Sequence, residues 1–315
     1  MTRFAFLFPG QGSQRVGMGR DLYRQCAEAR SLYESANELL GFDLAQLCFE
    51  GPEEDLRQTV NTQPALFVTA CAALEALRTR IDAQPFAVAG HSVGEYAALY
   101  AAGAMTFETG LALVRRRAVL MQDAAQRRPG TMAAVLGLDA EAVEGACEEA
   151  KPAGVVAVAN YNCPGQIVIS GEIAAVERAS ELAKAHGAKR VMPLAVSGGF
   201  HSPLMAGAGD ALYAALREAR FRQASVPVVV NVAAEYVSAG VDFAPYLTMQ
   251  LSGSVRWEQS MRLLLSDGVN LFVELGSGDV LAGLLKRTDR GASTVSVQDA
   301  ASLDAAVGLL SQDSA

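Results

Sequence analysis

The chain has 315 residues, of which 51% are hydrophobic and 19% charged, and its formal net charge is −8. This composition is typical of a globular protein with a large buried core. The acidic balance is the opposite of the basic footprint that nucleic-acid-binding proteins show, so we expect no nucleic acid partner.

Cysteine, histidine and apolar patterning argue against three further classes of protein. The five cysteines are scattered without a C-x-x-C pair, and only three histidines occur. We therefore expect no metal site and a reducing compartment, the cytoplasm. The apolar run at 4–8 is too short for a signal peptide, and no run approaches the roughly 20 residues of a membrane span, so we expect no membrane partner.

In chain order, the first 126 residues alternate short apolar runs with helical patterns. Residues 4–8 and 86–90 are closed by turn residues and are predicted to be buried strands. The alternation predicts a parallel α/β sheet. The segments predicted to be helical are 17–40, 62–81, 95–104 and 107–125.

Residues 127–197 follow another pattern, with the element order β-α-β-β-α-β. This order is typical of a ferredoxin-like unit. We interpret it as a small domain inserted into a discontinuous large domain that comprises 1–126 and 198–315. The predicted fold is α/β, with a hydrolase-like, parallel-sheet large domain and an inserted ferredoxin-like (βαββαβ) small domain.

After the insertion the α/β pattern resumes. Residues 226–232 and 270–275 are predicted strands, and 280–287 are a predicted helix. The polar residues 311–315 are expected to fray.

The stretch "GHSVG" at 90–94 fits the G-x-S-x-G nucleophile elbow. It lies between a predicted strand and a predicted helix, the context that this motif requires. The turn would expose the Ser92 hydroxyl at a helix N-terminus, where N–H groups can meet an anion. The alternative is an ordinary serine N-cap. The strand–turn–helix context favours the nucleophile.

A serine needs a base to react at neutral pH, and three histidines are available. His186 lies in the last turn of a polar helix and is better explained as a cap. His91 adjoins Ser92, so its side chain should point to the opposite side and support the elbow. His201, in a Gly-rich loop after the inserted domain, is the predicted base. No acid completes a triad in the hydrolase order, so a backbone carbonyl could orient the imidazole.

The three consecutive arginines at 115–117 occupy different faces of a predicted helix. Arg116 projects away from the apolar face, and Arg115 lies at its polar margin. Arg117 falls within the apolar arc, where a guanidinium requires an anionic partner. That partner is either an internal Asp or Glu or a substrate carboxylate, and by the helical wheel alone the internal acid is the simpler choice.

Two glycine loops, "GQGSQRVGMG" after the first strand and "GSGDVL" at 276–281, match neither a dinucleotide fingerprint nor a P-loop. The first loop could supply a backbone N–H to an oxyanion, or it could be a tight turn.

Several motifs in this order make the chain resemble the malonyl-CoA:acyl carrier protein transacylases over nearly its whole length. The resemblance implies a two-step malonyl transfer that needs no cofactor, with malonyl-CoA and an acyl carrier protein as partners. The matching motifs are "FPGQGSQ" (8–14), "TQPALF" (62–67), "GHSVGEYAAL" (90–99), "RRRAVLMQ" (115–122), "ANYNCPGQIVISG" (159–171), "GGFHSPLM" (199–206), "QLSGSVRW" (250–257) and "ELGSGDVLAGL" (274–284).

The same resemblance implies residue roles. Ser92 is the nucleophile, His201 the base and later the acid, and the main-chain carbonyl of Gln250 orients His201. Arg117 binds the malonyl carboxylate. Backbone N–H groups of Gln11 and Val93 hold the oxyanion. Supporting positions are His91, Gln63, Asn160 and Phe200, and Phe200 beside His201 is typical of malonyl-selective members.

Three positions depart from the family's usual pattern. Gly199 replaces a common alanine, and Ser254 and Ser277 replace prolines. These departures bear on loop rigidity more than on chemistry. Alternative functions are a free-standing acyltransferase of a polyketide synthase, a serine thioesterase or other hydrolase, and a non-enzymatic carrier-binding module.

Overall fold

The computed structural model describes residues 2–238 and 242–311. The strands are β1 Phe4–Phe8, β2 Ala87–Gly90, β3 Thr131–Leu136, β4 Val156–Cys163, β5 Gln166–Gly171, β6 Arg190–Pro193, β7 Val228–Val230, β8 Glu235–Val237, β9 Leu271–Leu275 and β10 Ser293–Val297. The helices are α1 Arg20–Gln25, α2 Ala27–Leu40, α3 Leu44–Glu50, α4 Glu53–Arg57, α5 Thr59–Arg78, α6 Gly94–Ala101, α7 Phe107–Arg127, α8 Ala140–Ala150, α9 Ile173–Ala185, α10 Gly209–Glu218, α11 Ala244–Ser252, α12 Trp257–Ser266, α13 Val280–Thr288 and α14 Ala300–Ser311. Short 3₁₀ helices cover Lys151–Ala153 and Pro203–Ala208.

The large sheet has the strand order β10-β9-β1-β2-β7-β8. Its pairings are parallel except for β8, which runs antiparallel to β7 at one edge. The central strands β1, β2 and β9 are almost wholly buried, which explains their continuous apolar sequences. In parallel sheets, functional groups gather beyond the carboxyl ends of the strands. Phe8 and Gly90 are paired at those ends of β1 and β2.

The small sheet has the strand order β4-β5-β3-β6, and its pairings are all antiparallel. With α8 and α9 it follows the predicted β-α-β-β-α-β order, and these two helices pack on the sheet around a separate hydrophobic cluster. The predicted fold class is confirmed, and the boundaries at 127 and 197 stay a prediction.

Several elements differ from the sequence predictions. The single helix predicted over 17–40 is wrong, because Cys26 adopts an extended conformation that separates α1 from α2. The helix predicted over 62–81 starts earlier, at Thr59. The edge strands β8 and β10 were not predicted; both are partly exposed and lack the long apolar run of a central strand. Ser311 closes α14, and the rest of the predicted frayed tail, 312–315, lies outside the described residues.

Hydrogen bonds join the two sheets at a seam between β4 and the segment before α12. Tyr161 N–H donates to the Val255 carbonyl at 2.9 Å, and Val255 N–H donates to the Ala159 carbonyl at 2.8 Å. Ser254 Oγ adds a bond of 2.6 Å to the Val158 carbonyl. The seam fixes Asn160, which forms a parallel bridge with Val255.

Within the described ranges, no helix combines the length and apolarity that crossing a bilayer would need.

The hydrogen bond of Ser254 to the Val158 carbonyl is part of the seam between β4 and the segment before α12, at a position where proline is common in the family. Replacing Ser254 with Ala should lower the free energy of unfolding by about 1 kcal/mol, the net worth of a typical hydrogen bond. Urea unfolding followed by circular dichroism measures this loss. Ser266→Ala is the matched control, since Ser266 is exposed and bonds only within its own helix end. Equal stability of the two variants would contradict a role for Ser254 in the seam.

Candidate active site

Ser92 lies on a sharp turn between β2 and α6, with a backbone φ of 54°. Serine rarely adopts this left-handed conformation, and such strain is concentrated at functional sites. Two glycines make the turn possible: a Cβ on Gly90 would overlap the Gly94 backbone, and a Cβ on Gly94 would overlap the Phe8 carbonyl. The N-cap of α6 is Val93, and no side chain caps this helix. The N-cap interpretation of Ser92 is therefore wrong.

Ser92, His201 and Gln250 form a linear hydrogen-bonded chain. Ser92 Oγ lies 2.7 Å from His201 Nε2, and His201 Nδ1 lies 2.7 Å from the main-chain carbonyl oxygen of Gln250. A carbonyl can only accept, so Nδ1 carries the proton. Nε2 is consequently unprotonated and accepts the Ser92 hydroxyl proton. This is the tautomer that a general base requires.

The environment keeps His201 neutral. Burial, and after it the nearby positive charge of Arg117, lower the pKa of His201 to about 3. The bond to the Gln250 carbonyl partly opposes the shift. His201 is itself strained, with a φ of 55°. A neutral imidazole is thus available at every pH near neutrality.

Arg117 is only 1% exposed, and its known partners are neutral oxygens. Its Nη1 donates to Gln63 Oε1 at 2.7 Å, and its Nη2 donates to Ser92 Oγ and Gln250 Oε1, both at 3.0 Å. Its Nε has no partner, and no ion pair to an Asp or Glu forms in the described part of the chain. The internal acid favoured by the helical wheel is therefore wrong as a direct partner.

A cavity of about 370 Å³ opens onto Ser92. The Gln11 and Val93 backbone N–H groups donate to no other group of the described residues, so they are free to hold an oxyanion. Nine of the ten predicted site residues line this cavity: Gln11, Gln63, His91, Ser92, Val93, Arg117, Asn160, Phe200 and His201. Gln250 is fully buried behind it and reaches the site through its hydrogen bonds.

The other two histidines have different surroundings. His91 Nε2 pairs with Asn162 Oδ1 at 3.0 Å, and its ring packs on Trp257 with a centroid distance of 5.4 Å. His91 therefore braces the turn and makes no bond to Ser92 Oγ. His186 is the C-cap residue of α9 in the small sheet's domain, 3.6 Å from Glu149.

Two buried residues near the site escaped the sequence analysis. Asn231 Oδ1 accepts from Ser92 N–H at 2.7 Å, and its Nδ2 donates to the Gly90 carbonyl at 2.7 Å. Glu95 accepts from Asn231 N–H at 2.8 Å. A signal existed for both: each is a lone polar residue in an otherwise apolar strand or helix, where burial requires a specific partner.

Ser277 and Gly199, two of the departures from the family pattern, also have physical explanations. Ser277 Oγ donates at 2.7 Å to the carbonyl of Ser13, which lies in the loop that carries Gln11. Ser277 thus replaces the stiffness of a proline with a hydrogen bond. Gly199 lies so close to Leu204 Cδ1 that a Cβ there would be 2.8 Å away.

The described residues contain no cluster of His, Cys, Asp or Glu that could hold a metal ion.

Residues 5–314 match the family model described as an acyl transferase domain. The malonyl CoA-acyl carrier protein transacylase of Bacillus subtilis (strain 168) is 45% identical, over 99% of each chain. The chain belongs to the malonyl CoA-acyl carrier protein transacylase family. The Escherichia coli (strain K12) member is 42% identical over 91% of this chain and 93% of its own.

Solved structures of the family share this fold. An acyl carrier protein S-malonyltransferase from Vibrio cholerae superposes with a TM-score of 0.94 at 43% identity, over 97% of this chain and all of its own. A malonyl-transacylase in complex with a type II PKS acyl-carrier protein superposes with a TM-score of 0.95 at 40% identity, over 98% of this chain and all of its own. The chain is accordingly an acyltransferase.

The Ser277–Ser13 bond should tune catalysis by this family member. Ser277→Ala should lower the rate of acylation by malonyl-CoA about two- to tenfold, because the loop that carries Gln11, a predicted oxyanion donor, loses a hydrogen bond that fixes it. Rapid-quench acylation measures the rate. The control is Ser293→Ala, at an exposed position of β10. A rate in Ser277→Ala equal to that of the control would show that the bond has no catalytic effect.

Proposed function

We propose that the chain transfers the malonyl group of malonyl-CoA to the phosphopantetheine thiol of an acyl carrier protein, in fatty acid biosynthesis, through a malonyl ester on Ser92. One observation carries the proposal: a buried guanidinium, which forms no ion pair with any described residue, lies 3.0 Å from the hydroxyl of a strained serine. The site therefore combines a nucleophile with a receptor for an anionic acyl group. We also propose that it acts in the cytoplasm without a bound cofactor.

In the first step, Ser92 Oγ attacks the thioester carbonyl carbon while its proton passes to His201 Nε2. The resulting oxyanion accepts hydrogen bonds from the backbone N–H groups of Gln11 and Val93, each such donor being worth about 10²–10³ in rate. The C–S bond then breaks, and His201 returns the proton to the coenzyme A sulfur. The malonyl group remains as an ester on Ser92.

The second step reverses the roles. The phosphopantetheine thiol of the carrier gives its proton to His201 Nε2, and its sulfur attacks the ester carbonyl. The same oxyanion donors act again, the C–O bond breaks, and His201 protonates Ser92 Oγ. A positioned base contributes about 10²–10⁴ in rate in steps of this kind.

Substrate binding should also strengthen the base. The charge of Arg117 is one cause of the lowered pKa of His201. A malonyl carboxylate held by Arg117 neutralises that charge and so raises the His201 pKa toward its ordinary value. An acetyl group offers no such compensation and leaves the guanidinium unpaired. Selectivity for malonyl should then appear in kcat as well as in KM.

Incubation with malonyl-CoA should add one malonyl group to Ser92, detected by intact-protein mass spectrometry and peptide mapping. Ser92→Ala should acquire none, because the ester oxygen is missing. The surface variant Ser266→Ala should be labelled like the parent chain. Absence of an adduct on the parent chain would overturn the proposal, and steady release of malonate without a carrier would identify a hydrolase instead.

Arg117→Ala should lower kcat/KM for malonyl-CoA by about 10²-fold or more, because a charge-assisted bidentate contact is lost. Activity with acetyl-CoA should fall far less, since acetyl carries no carboxylate. Arg116→Ala is a matched control, because Arg116 is the exposed neighbour on the same helix. Equal losses for both substrates would show that Arg117 serves structure alone.

A free-standing polyketide synthase acyltransferase is the second candidate, favoured by the similarity to the malonyl-transacylase in complex with a type II PKS acyl-carrier protein. The chemistry at Ser92 is the same in both, so rates with purified carriers of each kind distinguish them. An acidic carrier would need a local basic patch on this acidic chain. The candidate basic residues are Arg115, Arg116, Lys189, Arg190, Lys286, Arg287 and Arg290.

A further inference from the structure

The first turn of α6 contains a carboxylate to which the mechanism assigns no role. Glu95 is 1% exposed and forms no ion pair within the described residues. Its Oε2 accepts from the side-chain amide of Gln250 at 2.9 Å and from Asn231 N–H at 2.8 Å. A buried carboxylate without a salt bridge is costly, so these two bonds must compensate for its desolvation.

The bond to Gln250 determines which way that amide faces. Gln250 Nε2 points toward Glu95 and also donates to the Ser92 carbonyl at 3.1 Å. Its Oε1 is therefore directed at Arg117 Nη2, at 3.0 Å. If the amide were flipped, an NH₂ group would face the guanidinium, and two donors would oppose each other. Glu95 excludes that flip because a carboxylate only accepts.

The bond to Asn231 acts on the nucleophile. Asn231 Oδ1 accepts from Ser92 N–H at 2.7 Å, which holds the strained elbow in place. Through Gln250 and Asn231, the carboxylate thus reaches the carbonyl that orients His201, the oxygen that orients Arg117 and the backbone of Ser92. Buried polar networks of this kind fix geometry when each member is satisfied.

We infer that Glu95 is a positioning residue, whose ionised carboxylate sets the orientation of Gln250 and Asn231 and thereby the alignment of Ser92, His201 and Arg117. It touches neither the acyl group nor the thiol. The inference deepens the proposed function and rests on it for the malonyl measurements. The alignment of Ser92 with His201 can be tested without a malonyl group.

Glu95 should be visible in a pH profile. Burial raises its pKa to about 7, opposed by its bonds to Asn231 and Gln250 and by the charge of Arg117. The other ionisable groups facing it do not titrate there. Burial lowers the pKa of His91, His201 has a pKa of about 3, the pKa of Tyr96 is raised far above neutrality, and Arg117 remains a cation although burial lowers its pKa.

The raised pKa of Glu95 determines whether kcat/KM rises or falls with pH. Below about pH 7 Glu95 is protonated, so its O–H can itself donate and it no longer excludes the flipped Gln250 amide, whereas above that pH the ionised carboxylate only accepts. kcat/KM for Ser92 acylation should therefore rise with pH through about 7 and then level off.

The experiment compares the parent chain with Glu95→Gln, Glu95→Asp and the control Glu108→Gln, which changes an exposed acid in the first turn of the neighbouring α7. The first readout is kcat/KM for malonyl loading between pH 5.5 and 8.5. The second is the rate at which a neutral fluorophosphonate labels Ser92, which depends on the serine and its base and not on malonyl binding.

In both readouts, Glu95→Gln should react about tenfold more slowly than the parent chain does at high pH. It should also lose the acid limb, which is the rise of the rate with pH near 7. Glu95→Asp should keep the limb, since it retains a carboxylate, whatever its absolute rate. Glu108→Gln should behave like the parent chain. Circular dichroism establishes that each variant is folded, and if Glu95→Gln does not fold, the presence or absence of the limb in Glu95→Asp decides.

Two outcomes would overturn the inference. One is a Glu95→Gln variant with an unchanged limb and a fluorophosphonate rate within twofold of the parent. The other is a folded Glu95→Asp variant without the limb. Failure of the parent chain to take up malonyl would instead refute the proposed function, while the fluorophosphonate rates would still report on Glu95.

Discussion

A positive charge buried beside a nucleophile is the constraint on which the site depends. The Arg117 guanidinium is almost fully enclosed, and it bonds to the neutral oxygens of Gln63, Gln250 and Ser92. Burying a charge without a direct ion-pair partner is unfavourable, so an anionic ligand that pairs with Arg117 would lower the free energy of the site. In the proposed function, the affinity and the selectivity of the site for a carboxylated acyl group share this origin.

The same charge constrains the base. Burial is the main reason that His201 is neutral in the free protein, and the guanidinium close to the imidazole adds to this effect because it opposes protonation. The neutral imidazole has the tautomer that a base requires, but its low pKa makes His201 a weak proton acceptor. In the proposed mechanism, pairing Arg117 with a substrate carboxylate reduces its opposition to protonation of His201 at the step in which His201 accepts a proton. In the proposed mechanism, substrate binding and the proton transfer to His201 are thus coupled through one electrostatic interaction.

Much of this arrangement could be predicted from the sequence. The elbow at Ser92, the choice of His201 over the other two histidines and the inward direction of Arg117 all followed from local pattern and periodicity. The partners of Arg117 could not be predicted, because they come from α5, the turn after β2 and α11, which only the fold brings together. The role of Asn231 could not be predicted for the same reason, because its hydrogen-bond partners lie more than a hundred positions away in the sequence. The edge strands β8 and β10 were missed because partial exposure removes the apolar signal.

The separation of Glu95 from Arg117 explains how the site keeps its charge available. A direct salt bridge between them would satisfy the guanidinium and reduce its pull on a substrate carboxylate. The Gln250 amide instead stands between the two, accepting from Arg117 with its oxygen and donating to Glu95 with its nitrogen. The carboxylate still offsets the buried cation through space, and each raises the stability of the other's charged form. In the proposed mechanism, a bound malonyl carboxylate together with an ionised Glu95 outweighs the charge of Arg117, and this negative balance favours the imidazolium that forms on His201 as Ser92 attacks. In the proposed mechanism, an amide between two opposite charges therefore keeps the guanidinium available to an anionic acyl group and leaves the site able to stabilise the charge that develops during transfer.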